Sequence, residues 1–209
     1  MNPQELQNIR AGFHHEAFGS QAVFRATLQA LSHPGRLIAM PQESQFPRTG
    51  HPAAAALLLA LLDADCTVWL SPSLRPSDAA AWLRFHTGCQ LADEPALAQF
   101  LWVGQGDALP PLDTLMLGTD AYPDQSATCV VEVASLAAVS DPAGDEWVLQ
   151  GPGIDGGITL AARGLPLDFV GQRERNHGAF PRGVDLLLTT PTHAVGLPRT
   201  TRVLTSGRA

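Results

Sequence analysis

The most restrictive stretch of this sequence is residues 53–63, AAAALLLALLD, which predict a helix that is apolar on nearly every side. A helix of that kind is usually buried, so this one predicts a layered, well-covered core. Two other runs have the composition of strands, ATCVVEVASL at residues 127–136 and VDLLLTT at residues 184–190. The second contains three consecutive leucines, an apolar run that is typical of a strand buried on both faces.

The remaining pattern alternates helices and strands and then clusters strands. A helix is predicted over residues 20–32, where Phe24, Leu28 and Leu31 fall at i, i+4 and i+7 and form one apolar stripe. This order favours a layered α/β fold with a mixed sheet, and we expect one domain spanning residues 1–209. The other predictions are a helix at residues 77–85, strands at 66–70 and 98–103, and a hairpin of 147–150 with 158–161 across GPGIDGG.

Composition excludes several classes of function. The chain has no lysine: its 13 basic residues are all arginine, against 20 acidic residues and a net charge of −7. Covalent pyridoxal-phosphate chemistry and a P-loop both require a lysine, so neither is expected. An acidic chain without a basic tract argues against nucleic acid as a partner.

Cysteine usage and hydropathy indicate the compartment. Cys66, Cys89 and Cys129 are odd in number and widely spaced, which predicts no disulfide framework and a reducing cytoplasm. The N-terminal residues carry no apolar signal core, and the longest apolar run, residues 53–62, is too short to span a bilayer. We therefore expect a cytoplasmic protein without a membrane partner.

Residues 151–185 concentrate positive charge within this acidic chain. The basic side chains there are Arg163, Arg173, Arg175, His177 and Arg182. One interpretation is an anion site or a partner-docking surface, because a guanidinium group can donate two parallel hydrogen bonds to phosphate or phosphonate oxygens. The other is a solvated helix end whose arginines pair with Asp168, Glu174 and Asp185. We expect Arg173 and Arg175, in the polar run QRERNHG, to be exposed, so that replacing both by alanine leaves the fold intact.

No complete catalytic or cofactor motif accompanies these charges. His177 and Asp185 could form an acid–base pair, but no nucleophile motif and no metal-ligand spacing is present, so no catalytic residue or metal site can be named. Gly151, Gly153 and Gly156 fit G-x-G-x-x-G. The segment that follows is strand-like, whereas the dinucleotide fingerprint leads into a helix, so a tight β-turn is favoured.

Several stretches in order resemble the PhnH family, the H subunit of the bacterial carbon–phosphorus lyase system. They extend over nearly the whole chain: Phe24-Arg25 through Ser32-His33-Pro34-Gly35, TDAYPDQSAT at 119–128, GPGI at 151–154, FPRGVD at 180–185 and LPRTTRV at 197–203. The resemblance implies a three-layer α/β/α sandwich, similar to the large domain of pyridoxal-phosphate transferases but without the cofactor. It also implies a homodimer that assembles with the G, I and J subunits.

The activity implied by the resemblance is support, with the G, I and L proteins, for transfer of a phosphonate onto the ribose C1′ of ATP. Adenine leaves and a ribose 1-phosphonate 5-triphosphate forms; C–P bond cleavage belongs to the J subunit, and the glycosyl chemistry is generally credited to the I subunit. Two functions stay open for this chain: a scaffold subunit that is inactive alone, or a subunit that binds phosphonate or nucleotide phosphates. A third is an independent nucleotide-binding enzyme that uses GPGIDGG. No cofactor is expected, and the candidate anion- or partner-binding residues are Arg163, Arg173, Arg175, His177, Arg182 and Asp185.

Overall fold

The computed structural model describes residues 9–41, 44–138 and 145–205. Its helices are α1 (Glu16–Ser32), α2 (Pro52–Leu61), α3 (Asp78–Thr87) and α4 (Phe169–Gly178), with 3-10 turns at Pro95–Leu97, Leu112–Thr114 and Pro123–Gln125. Its strands are β1 (Gly12–Phe13), β2 (Ile38–Ala39), β3 (Ser44–Gln45), β4 (Thr67–Leu70), β5 (Gln90–Leu91), β6 (Phe100–Val103), β7 (Thr128–Glu132), β8 (Ser135–Ala137), β9 (Asp145–Gln150), β10 (Ile158–Arg163), β11 (Asp185–Thr189), β12 (His193–Leu197) and β13 (Arg202–Thr205).

A seven-stranded mixed sheet lies at the centre, in the order β2-β12-β11-β7-β6-β4-β5. The five strands from β11 to β5 run parallel to their neighbours, whereas β12 and β2 pair antiparallel. Parallel neighbours are buried on both faces, which explains the three consecutive leucines of β11. The mixed α/β architecture predicted from the sequence is therefore confirmed.

The sheet separates two apolar cores because successive side chains of a strand point to opposite faces. Trp102, Val130 and Leu187 pack with α1, α2 and α3 on one face. On the other face the neighbouring side chains pack against α4 and a smaller antiparallel sheet, in the order β13-β9-β10-β8. The expected α/β/α layering is thus correct for one face only. The second outer layer is mainly β-sheet, because the predicted hairpin across GPGIDGG forms and is extended on both sides.

Helix α2 is buried as its sequence predicts, with residues 53–58 all fully inaccessible to solvent. In α1 two residues of the predicted apolar stripe lie on the outer side, since Phe24 is 46% exposed and Leu28 is 52% exposed, whereas Leu31 is partly buried and packs against the core. Small side chains take the inner side because α1 crosses β12 closely. A Cβ on Gly196 of β12 would lie 2.4 Å from the carbonyl oxygen of Ala30, so larger residues cannot fit between them.

The predicted strand at residues 127–136 is two strands in two sheets. β7 belongs to the central sheet and β8 to the smaller one. The chain changes sheets at Val133 and Ala134, where the amide of Val133 still donates to Thr189 and the amide of Ala134 donates to Arg163 of β10. A continuous run of strand-forming residues cannot reveal which partner each half selects. Within the described ranges, no helix is long and apolar enough to cross a membrane.

Candidate functional site

Helix α4 carries the centre of the predicted basic group. Its buried residues are Phe169, Gln172, Arg173 and Asn176, spaced i, i+3, i+4 and i+7 along one face. Phe169 packs against Trp147 of β9 with ring centroids 5.1 Å apart. The inner face of α4 is therefore mostly polar, and its polar side chains must find partners within the fold.

Arg173 is fully buried, contrary to the exposure expected from its polar neighbours. Its guanidinium donates to the carbonyl oxygens of Val184 (3.5 Å), Pro198 (2.7 Å) and Thr201 (3.2 Å). Burial lowers the pKa of Arg173 to about 10, so the side chain is still charged at neutral pH. Arg173 therefore ties α4 to the segments around β11 and β13 and cannot meet an external anion.

The predicted pair of His177 and Asp185 does not form in the described residues. Asp185 accepts from Nε (3.2 Å) and Nη2 (2.6 Å) of Arg199, whose Nη1 donates to the carbonyls of Pro123 (2.7 Å) and Pro181 (3.3 Å). The Nδ1 of His177 lies 3.2 Å from the carbonyl oxygen of Arg199 instead. Arg199 was not singled out from the sequence, although it lies in LPRTTRV; it joins three loops around one carboxylate.

The other members of the predicted group are spread over the surface and the small sheet. Arg175 lies 3.6 Å from Asp113, and Arg182 lies 3.3 Å from Asp120, with all four side chains about half exposed or more. Arg163 ends β10, in the small sheet. Exposed pairs of this geometry stabilise a fold by at most about 1 kcal/mol, so Arg175 and Arg182 are free to exchange partners.

A cavity of about 480 Å³ opens beside the exposed side of α4, between this helix and β13. It is lined by Val170, Glu174, His177, Gly178, Arg202, Val203, Leu204 and Thr205. Of the predicted site residues, only His177 reaches it. Arg202 and Glu174 were missed because the sequence gives no sign that β13 runs alongside α4.

A second polar cluster lies where the parallel strands of the central sheet end. Glu132, the last residue of β7, is 3% exposed and accepts from the amide of His51 (2.5 Å), the indole of Trp102 (2.8 Å) and the amide of Gln105 (3.1 Å). The ring of His51 contacts the carbonyl oxygen of Thr189 through Nδ1 (3.2 Å) and Gln105 through Nε2 (3.0 Å). These contacts fix the start of α2 and the loop that follows β6 to the end of β7. The one sequence signal was a single acidic residue inside an apolar strand.

Asp107 closes the neighbouring part of this edge, between the ends of β4 and β6. Its carboxylate accepts from the hydroxyls of Ser71 (2.5 Å) and Ser73 (2.6 Å) and from the amide of Ser73 (3.0 Å). Burial alone would raise the pKa of Asp107, but these hydrogen bonds outweigh it and hold the pKa below its ordinary value. Open α/β sheets often bind ligands at this edge; here the polar groups satisfy one another.

The glycine-rich stretch forms a turn, as favoured from the sequence. Gly151, Gly153 and Gly156 all have positive φ and connect β9 to β10, so no helix follows to hold a pyrophosphate. A Cβ on Gly153 would lie 2.1 Å from the carbonyl oxygen of Ser32, which explains the glycine at this position by close approach to α1. In the described part of the chain, no three potential metal ligands come together.

Comparison with known proteins gives a consistent family. The family described as "Bacterial phosphonate metabolism protein (PhnH)" matches residues 11–204. The chain is 38% identical over 199 residues to the alpha-D-ribose 1-methylphosphonate 5-triphosphate synthase subunit PhnH of Rhizobium meliloti (strain 1021), covering 95% of this chain and 97% of that protein. It is 29% identical over 187 residues to the putative C-P lyase subunit protein HtxG of Stutzerimonas stutzeri, covering 90% and 87%.

Proposed function

The chain belongs to the PhnH family of bacterial phosphonate metabolism proteins, and we propose that it is a non-autonomous subunit of a carbon–phosphorus lyase system. In that role it supports transfer of an alkylphosphonate to the ribose C1′ of ATP, with release of adenine. The observation that carries this proposal is the 38% identity to the Rhizobium synthase subunit over 95% of the chain. Such coverage leaves little of the relative's length without a counterpart here.

The residues are consistent with a subunit that needs partners. The polar groups at the carboxyl edge of the central sheet bond to one another and are occupied within the fold. Large apolar side chains instead lie on the surface, including Phe18 (76% exposed) and Phe24 and Leu28 on the outer side of α1. Exposed apolar groups of this kind are typical of interfaces. In this proposal the whole chain, 1–209, acts as one cytoplasmic domain that dimerises and binds the G, I and J subunits.

The proposal includes no cofactor in this subunit. The proposed likeness to the large domain of pyridoxal-phosphate transferases concerns the backbone only, since the chain has no lysine to form an aldimine. Purified protein should therefore show no aldimine absorbance, and borohydride should trap no adduct.

A second function, direct binding of phosphonate or nucleotide phosphate, is favoured by the exposure of Arg175 and Arg182. Both guanidiniums are about half exposed and their carboxylate partners are exposed too, so an anionic ligand could replace those contacts at low cost. Arg163, Arg173 and Asp185 are not part of this alternative, because each is occupied within the fold.

Assembly is tested by affinity purification of the tagged chain from phosphate-starved cells. The proposal predicts that the other subunits co-purify in fixed ratios, and recovery of the chain without them would contradict it.

The alternative, direct binding of phosphonate or nucleotide phosphate, is tested in the same cells with Arg175→Ala/Arg182→Ala. The matched control is Arg48→Ala/Arg84→Ala, which removes two exposed arginines elsewhere. Slow growth on a phosphonate with normal assembly, in the first double variant only, would favour direct binding.

A further inference from the structure

The cavity between α4 and β13 has the size and mixed lining of a small-molecule site. Its volume of about 480 Å³ falls within the range of roughly 300–1,000 Å³ common for ligand pockets. Val170, Val203 and Leu204 give it an apolar side, whereas the polar groups at its surface are Glu174, His177 and Arg202. Glu174 and Arg202 take no part in the networks around Arg173 and Arg199, and His177 joins the second of these only through its Nδ1.

The hydrogen bond of His177 fixes which ring nitrogen can serve the cavity. Its Nδ1 lies 3.2 Å from the carbonyl oxygen of Arg199, and a carbonyl can only accept, so Nδ1 carries a proton. In the neutral ring the proton is then on Nδ1 and Nε2 is an acceptor. No described residue bonds to Nε2. The carbonyl of Arg199 therefore orients the His177 ring and leaves Nε2 as a hydrogen-bond acceptor for a ligand.

Arg202 and Glu174 supply opposite charges to the same cavity. Arg202 is exposed on β13 and Glu174 is exposed on α4. Among the described residues, neither side chain has an ion pair, with each other or elsewhere. The cavity thus offers one permanent cation and two acceptors beside an apolar side.

We propose that this cavity binds a sugar phosphate, with the phosphate on Arg202 and the sugar hydroxyls on Glu174 and His177 Nε2. A guanidinium group can donate two parallel hydrogen bonds to phosphate oxygens, and carboxylates accept hydrogen bonds from ribose hydroxyls. A bare anion fits less well because Glu174 repels it, and a bare cation fits less well because of Arg202. The carbon face of the sugar packs on Val170 and Leu204. The identification of the sugar as the ribose of a nucleotide rests on the proposed function. The proposal that the cavity binds a sugar phosphate does not.

The test is titration of the isolated full-length protein, by calorimetry, with ribose 5-phosphate, ATP, ribose and inorganic phosphate. We expect the two phosphorylated ribose compounds to bind and the separate halves to bind at least about 10-fold more weakly. Equal affinity for inorganic phosphate and ribose 5-phosphate would overturn the proposal in favour of a simple anion site. Absence of ribose 5-phosphate binding would overturn it as well.

Variants locate the binding and keep the fold. Arg202→Gln, Glu174→Gln and His177→Asn should each weaken ribose 5-phosphate about 10-fold. In His177→Asn the amide can still donate to the Arg199 carbonyl while Nε2 is lost. Arg84→Gln, an exposed arginine of α3 outside the cavity, is the control and should bind normally. Unchanged affinity in the three cavity variants would place the ligand elsewhere. Co-purification with partner subunits is scored separately, so loss of binding and loss of assembly are distinguishable.

Discussion

Replacing Arg173 by alanine should destabilise the protein strongly, whereas the same change at Arg175 should not. Arg173 is fully buried and its guanidinium donates to three backbone carbonyls. Two of these carbonyls keep another donor, because Asn176 Nδ2 also binds the Val184 oxygen and the Thr201 amide also binds the Pro198 oxygen. The carbonyl of Thr201 depends on Arg173.

Three contributions set the magnitude. Deleting a large buried side chain costs about 2–5 kcal/mol through lost packing and the cavity that remains. Leaving a buried carbonyl without its donor costs about 1–3 kcal/mol more. Removing a buried cation offsets part of this cost in unfolding free energy. The pKa of Arg173 falls from 12.5 to about 10, which corresponds to about 3 kcal/mol of unfavourable burial. The net loss for Arg173→Ala is therefore about 3 kcal/mol.

Urea unfolding followed by tryptophan fluorescence measures the lost free energy, and thermal unfolding measures the accompanying fall in melting temperature. We expect the melting temperature of Arg173→Ala to fall by about 6–12 °C. Arg173→Met, which fills most of the space without the charge, should lose about 1 kcal/mol because an apolar replacement avoids the burial of a cation. Arg175→Ala, whose partner Asp113 is 3.6 Å away and exposed, should lose less than about 0.5 kcal/mol. An Arg173→Ala protein within 1 kcal/mol of the unmodified chain would refute the structural role assigned to this residue.

Three further predictions concern single residues. Gly153→Ala should lower the unfolding free energy by at least about 2 kcal/mol in urea titrations, since φ is +81° and the new Cβ would meet the Ser32 carbonyl; an unchanged midpoint would contradict this. Glu132→Gln should cost about 2 kcal/mol, because an NH2 group replaces one carboxylate oxygen and cannot accept from the N–H donor that faced it; equal stability in thermal unfolding would count against it. The pKa of Asp107 lies below its ordinary value, so its contribution is present above the unfolded pKa of about 3.9 and is lost as pH falls through the folded pKa. Asp107→Asn should therefore flatten the loss of stability below about pH 4, and identical acid profiles would refute this.

The sequence predicted the helices and strands better than it predicted which of them lie side by side. Helix α2 was recognisable because all its sides are apolar, and the hairpin of β9 and β10 because a glycine-rich turn separates two strand-like runs. The division of residues 127–136 between two sheets was not predictable, since strand composition does not encode which strand lies alongside.

The basic segment illustrates the same limit in the candidate site. The polar composition of QRERNHG predicts exposure, yet the i, i+3, i+4 spacing from Phe169 places Arg173 inside. That spacing was visible in the sequence. The carbonyl partners of Arg173 and the cavity formed with Arg202 depend on β13 reaching α4, which only the tertiary structure reveals.

Dependence on partners is the central claim, and adenine release from ATP plus methylphosphonate tests it most directly. The assay compares the isolated chain, the partner subunits without it, and the co-expressed set. We predict release only from the co-expressed set, because the polar groups at the carboxyl edge of the central sheet are occupied within the fold and the proposed role is that of a subunit that needs its partners. Adenine release by the isolated chain would contradict the claim, as would undiminished release by the partners in its absence.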